Sequence, residues 1–230
     1  MWRFDAIGTI WEIETSAQLT VPARQAVAAL IAAFDGDWSR FRDDSLVRAL
    51  ARGAGVVHAP VDAADMLDAY LALSEATDGA VNPLIGSSLE RLGYDADYSL
   101  RPADGPLPAP RDWRERLAWA DDRIALAEPA LIDVGALGKG RLVDRVLDVV
   151  SQWTEGDVVV DAGGDLVVRG SVVRVALEHP YDPARAIATA LFFDGGARLA
   201  HDEGIEWVRM LLDGRVEHSP QCPAELFTPG

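Results

Sequence analysis

Cysteine is almost absent: the 230-residue chain has one, Cys222. A lone thiol excludes an internal disulfide, and nothing around it has the spacing of a C-x-x-C pair or a metal-ligand cluster. Basic residues are also scarce, 21 Lys and Arg against 37 Asp and Glu, which gives a formal net charge of −16 and a pI near 4.5. Phosphate backbones and anionic membrane surfaces need basic patches, so neither nucleic acid nor membrane insertion is expected. No apolar run approaches the about 18 residues of a membrane span. The opening Met1-Trp2-Arg3-Phe4-Asp5-Ala6 lacks the charged and apolar regions of a signal peptide, and a cytoplasmic protein is expected. With 49% apolar residues the chain is globular. Its length allows a proper core in one domain over 1–230, with a division into two lobes near 1–112 and 113–230 left open.

What the chain does have is a glycine-rich junction, Leu131-Ile132-Asp133-Val134-Gly135-Ala136-Leu137-Gly138-Lys139-Gly140-Arg141-Leu142-Val143-Asp144. It joins a short apolar run to an amphipathic helix. Glycines let backbone N–H groups approach phosphate oxygens, a helix N-terminus adds partial positive charge, and Lys139 adds a full one. The segment satisfies neither G-x-x-x-x-G-K-[ST] nor G-x-G-x-x-G, so from this stretch alone phosphate binding and a plain tight turn both stand. A second glycine pair, Asp161-Ala162-Gly163-Gly164-Asp165, follows a Val-rich run. Asp133 and Asp165 suit turn or helix caps as well as a functional role. In so acidic a chain a divalent cation is a natural neutraliser for a bound phosphate.

Residues 7–15 alternate as an opening strand, 22–35 carry helical spacing behind Pro22, and a short helix ends near Gly53. Residues 62–77 read as an amphipathic helix stopped by Asp78-Gly79, and the proline-rich 94–112 reads as a surface loop. Strands are expected at 124–126, 130–133, 158–161, 166–168 and 172–177. A helix is expected from near Lys139 to Trp153, another over 184–193, and a final hairpin about Asp213-Gly214. This mixed order predicts α+β rather than a doubly wound sheet.

Several segments, in order, resemble the ApbE family of FAD:protein FMN transferases. Phe4-Asp5-Ala6-Ile7-Gly8-Thr9 is similar to the family's F-x-x-M-G-T, Ser39-Arg40-Phe41-Arg42-Asp43-Asp44-Ser45 to its S-R-[FY]-x-x-x-S, and Thr77-Asp78-Gly79-Ala80-Val81-Asn82-Pro83 to its T-x-G-A-F-[ND]-P. Asp133 to Gly140 with Asp144 resembles D-x-G-[AG]-[IL]-[AG]-K-G-x-x-x-D, and Gly163-Gly164-Asp165 resembles G-G-[DN]. The resemblance implies an α+β fold that binds FAD and, with Mg²⁺, moves its FMN half onto a threonine or serine hydroxyl of a target flavoprotein, releasing AMP. It implies Lys139 and Asp133 at the reacting phosphates and a cofactor site at Gly8, Thr9, Thr77, Gly79, Asn82, Gly135, Gly138, Gly140, Gly163, Gly164 and Asp165. Asp133 and Asp144 would hold the loop or pair with Lys139. Tyr94 and Tyr70 are candidates to stack on a ring or to serve in ordinary packing.

Two departures accompany the resemblance. The family's T-S-G and H-x-I-[IL]-D-P-x-T-G segments are missing, and residues 173–180 run almost directly into Ala184-Arg185-Ala186-Ile187-Ala188-Thr189-Ala190-Leu191-Phe192, which resembles a late family helix. In that helix the family places Asp and Thr at i and i+4 on the metal. Here Thr189 remains with the Gly138 carbonyl as the metal set, while Arg185 holds the acidic position. An arginine there would repel Mg²⁺ but can take two phosphate oxygens in parallel. A shortened transferase is therefore expected. The alternatives are a catalytically degenerate FAD-binding protein and, third, a scaffold that binds nothing.

Overall fold

The computed structural model describes residues 1–96, 99–103, 105, 107–120, 122–170, 178–179, 182–186, 208–210 and 216–220. It begins with a hairpin. Strands β1 (Trp2–Ala6) and β2 (Thr9–Thr15) pair antiparallel, with Phe4 opposite Trp11 and Ala6 opposite Thr9. The two residues between them, Ile7 and Gly8, both have positive φ, 42° and 74°, the pattern of a type I′ turn. A β-branched residue in that region is an outlier, and it sits at the position where the ApbE pattern carries methionine.

Further along the chain, the helix α1 (Val21–Trp38) is capped by Thr20, whose hydroxyl accepts from the Ala23 N–H, with Pro22 in its first turn. Its Ala23, Val27, Ile31, Phe34 and Trp38 recur every three or four residues and are buried. Next come α2 (Leu46–Arg52), β3 (Gly55–His58) and α3 (Ala63–Ala76), the last stopped by Asp78 and Gly79 at φ 50° and 81°. Beyond them lie α4 (Gly86–Arg91), α5 (Trp113–Arg116), β4 (Leu117–Ala120) and β5 (Arg123–Leu126); the three short strands form a sheet of order β3-β5-β4.

The helix α6 (Gly138–Ser151) buries Leu142, Val143, Val146 and Val150 and packs on α1. It also packs on β6 (Val158–Ala162) and β7 (Asp165–Arg169), which complete the first sheet in the order β1-β2-β6-β7. Gly163 and Gly164, at φ 63° and 107°, turn that hairpin as expected. Trp11, Ile13, Val146 and Val160, all fully buried, belong to one continuous core with Leu67 and Trp113. Helices and antiparallel sheets are mixed along the chain, so the expected α+β class holds. No helix among the described residues is long and apolar enough to cross a membrane.

Two expected elements are corrected. Residues 130–133 form no strand; they cross the segment before α4 through two hydrogen bonds, Gly86 N–H to Leu131 C=O (3.2 Å) and Asp133 N–H to Pro83 C=O (2.8 Å). An apolar run of four cannot distinguish that crossing from a ladder. Residues 184–186 are not helical but belong to β9 (Asp182–Ala186), which pairs with β8 (Glu178–His179). Cross-strand pairing there takes the backbone groups that a helix would satisfy internally. Residues 187–193 and the strand expected at 172–177 lie outside the described residues. The last hairpin, β10 (Val208–Met210) with β11 (Val216–His218), pairs as expected, although its Asp213-Gly214 turn lies outside them.

Candidate functional site

The head of α6 carries the chain's only lysine. Leu137 precedes the helix and offers no side-chain cap; the Gly138 N–H bonds to the Val134 C=O, and the Lys139 and Gly140 N–H groups of the first turn are left for another partner. The Lys139 Nζ lies 2.9 Å from Asp165 Oδ2, and each side chain keeps about a third of its surface in solvent (33% and 32%). Asp165 comes from the start of β7, directly after the glycine turn. Gly140 faces the same carboxylate, its would-be Cβ falling 3.7 Å from Asp165 Oδ1. Gly163 packs so tightly on Thr9 that any Cβ would overlap the threonine hydroxyl, and the Gly164 N–H donates to Asp161 Oδ1 at 3.1 Å. The β1–β2 turn, the β6–β7 turn and the helix head thus converge, and they combine one cation with several backbone amides.

Beside this convergence opens a largely apolar cleft of about 440 Å³, lined among others by Phe41, Val81, Ile85 and Leu89. Its polar floor is Asp133. One carboxylate oxygen accepts from Arg40 Nε at 2.6 Å and the other from the Gly135 N–H at 2.8 Å. Tyr70, from α3, donates its hydroxyl to the Asp133 C=O (3.2 Å) and accepts from the Ala136 N–H (3.3 Å). Asn82, also buried, donates to Pro110 C=O and accepts from the Leu84 N–H.

Burial, with the Asp133 charge as the second cause, pushes the Tyr70 phenol well above its ordinary value. Below about pH 10 the phenol is protonated folded or unfolded; above it the unfolded chain sheds a proton that the fold retains. Stability is therefore lost as pH rises past that point. Thermal melts between about pH 9 and 11 are expected to show a steeper decline for the wild type than for Tyr70→Phe; parallel declines would count against this coupling.

The ApbE family model matches residues 7–198, which takes in every group just described. The chain belongs to the ApbE family. A Treponema pallidum relative named FAD:protein FMN transferase is 26% identical over 224 residues, 86% of this chain and 57% of that protein. One from Rhodobacter capsulatus with the same name is 28% identical over 229 residues, 86% and 44% respectively. The chain spans about half the length of these curated relatives. Among solved structures, a mutant of the flavin transferase ApbE from Vibrio cholerae aligns with a TM-score of 0.71 at 15% identity, covering 95% of this chain and 96% of the other. The apo flavinyl transferase ApbE from Pseudomonas stutzeri aligns with 0.64 at 21%, covering 79% and 62%. Both show the ApbE fold.

Within this ApbE chain, Thr9, Lys139, Gly140, Gly163, Gly164 and Asp165 come together at the helix head, with Gly8 in the adjoining turn. Asp133, Gly135 and Asn82 line the cleft. Gly138 begins α6, where a Cβ would lie 2.8 Å from Val134 Cγ2, so its smallness serves packing. Thr77 and Gly79 are not among the cleft's lining; the Thr77 hydroxyl bonds to Leu73 C=O and the Val81 N–H and shapes the end of α3. Lys139 pairs with Asp165 rather than with Asp133 or Asp144, and Asp144 points to solvent. Arg185 stands in β9 rather than on a helix, and Thr189 lies outside the described residues. Arg40, which lines the cleft and pairs with Asp133, was not among the expected site residues. Its signal was present in Ser39-Arg40-Phe41, but its partner is 93 residues away.

Proposed function

We propose that the chain is an FAD:protein FMN transferase, acting on a target flavoprotein in the cytoplasm, a compartment that its single cysteine suits. The observation that carries this reading is the lysine-bearing, uncapped head of α6 set against two glycine turns, in a chain of the ApbE family. FAD would lay its pyrophosphate on Lys139 and the adjoining amides, with a planar ring in the apolar cleft.

An acceptor threonine or serine oxygen then attacks the FMN-side phosphorus. The new P–O ester forms as the bond to the bridging oxygen breaks, AMP leaves with that oxygen, and the hydroxyl proton passes to water. Lys139 offsets charge building on the phosphate oxygens. Asp133, committed to Arg40 and Gly135, holds the loop. Mg²⁺, proposed at the Gly138 carbonyl and Thr189, would supply further charge neutralisation when bound. Among the described residues no three His, Cys, Asp or Glu side chains gather to hold a metal, and Thr189 lies outside them.

The second reading, FAD binding without turnover, is favoured by the absence of the family's T-S-G and H-x-I-[IL]-D-P-x-T-G segments. Incubating the protein with FAD, Mg²⁺ and a flavoprotein acceptor separates the two. Covalent FMN on the acceptor by mass spectrometry, with AMP in equal amount, is expected; bound FAD with neither product would leave the binding protein.

A further inference from the structure

The turn at residues 133–136, which delivers the chain into α6, is held by two side chains from elsewhere. Arg40 lies between α1 and α2 and is 5% exposed. It donates Nε to Asp133 and Nη1 to the Tyr94 C=O, and its guanidinium sits 4.1 Å from the centre of the Phe41 ring. Tyr70, 1% exposed, bridges the Asp133 carbonyl and the Ala136 amide through one hydroxyl. With the Gly135 N–H on the other Asp133 oxygen, the carboxylate, the carbonyl and two amides of one short turn all have fixed partners. Gly135 has no room to vary, since a Cβ there would fall 2.9 Å from Asp133 Oδ1.

Stability alone does not account for this arrangement. Taking an arginine and a carboxylate out of water, at 6% and 13% side-chain exposure, costs much of what their attraction returns, and an apolar pair of similar volume commonly stabilises as well. What an apolar pair lacks is direction. Arg40 and Tyr70 fix the course of the backbone three residues before Lys139, and so fix where the α6 amides and the ammonium point.

We propose that Arg40 and Tyr70 are positioning residues of the nucleotide site, acting through Asp133 and Ala136 to aim the head of α6 at the phosphates of the ligand. The inference rests on the FAD-binding reading above. Its test is FAD binding by calorimetry on the wild type, Tyr70→Phe, Arg40→Gln and Arg40→Lys, each measured well below its own melting temperature.

Tyr70→Phe keeps the ring and loses only the hydroxyl; it is expected to melt as a folded protein and to bind FAD about tenfold more weakly. Arg40→Gln is expected to weaken binding further, with Arg40→Lys recovering part of the loss, because a lysine restores the charge on Asp133 but not the fork. Wild-type affinity in Tyr70→Phe, or equal affinity across the Arg40 series, overturns the proposal and leaves the transferase reading standing. A wild type that ignores FAD overturns both. Should Arg40→Gln fail to fold, Tyr70→Phe still decides the matter.

Discussion

Replacing Lys139 with alanine is expected to weaken FAD binding about 100-fold, as charge-assisted hydrogen bonds contribute about 1.5–3 kcal/mol and each 1.4 kcal/mol is a factor of ten. Two effects add. The ammonium is lost from the phosphates, and Asp165, now without the partner it holds at 2.9 Å, is left as a bare carboxylate beside them. Repulsion from Asp165 has a separable consequence: Lys139→Ala with Asp165→Asn is expected to bind FAD more tightly than Lys139→Ala alone. Calorimetry on both variants checks this. An unchanged affinity in Lys139→Ala would remove the head of α6 from the site.

A large effect on stability is expected at Gly86. A Cβ at this position would meet the Leu131 carbonyl oxygen and Cγ at 2.6 Å and its carbonyl carbon at 3.1 Å. Side chains can turn away, but a backbone carbonyl already bonded to the Gly86 N–H at 3.2 Å cannot. Overpacking of this kind costs about 1–3 kcal/mol, and in a chain of this size each kcal/mol shifts the melting point by about 2–4 °C. Gly86→Ala is thus expected to melt roughly 5–10 °C below the wild type. The 83–86 and 131–133 segments carry Asp133 and the cleft wall, so FAD affinity should fall as well. Melting within a degree or so of the wild type would show that the two segments separate freely.

The sequence made legible whatever is local. Helical spacing with Thr20 and Pro22 gave α1, the Asp78-Gly79 stop gave the end of α3, and the glycine pair gave the β6–β7 turn, because each depends on residues within a few positions of one another. The hairpin of β1 and β2 was half read: its turn is Ile7-Gly8 rather than the usual Asn-Gly or Asp-Gly, so β1 carried no turn signal. Helix α4 was missed because it opens on a glycine that packing, not propensity, demands. In the site, the glycines, Lys139 and Asp165 stood out as motifs, whereas their pairing did not. Spacing along a chain says nothing of a cation finding a carboxylate 26 positions on, or of Arg40 reaching Asp133 across 93.

The solitary lysine makes the central claim directly measurable. An amine-reactive label has one side-chain target in this chain, Lys139, and the Met1 α-amine serves as an internal control. Labelling followed by peptide mass spectrometry is expected to show Lys139 protected by FAD and by ADP, which carry a pyrophosphate, and not by riboflavin, which carries none, while Met1 reacts equally throughout. Labelling of Lys139 at an unchanged rate in saturating FAD would contradict the account, because the nucleotide's phosphates would then lie elsewhere.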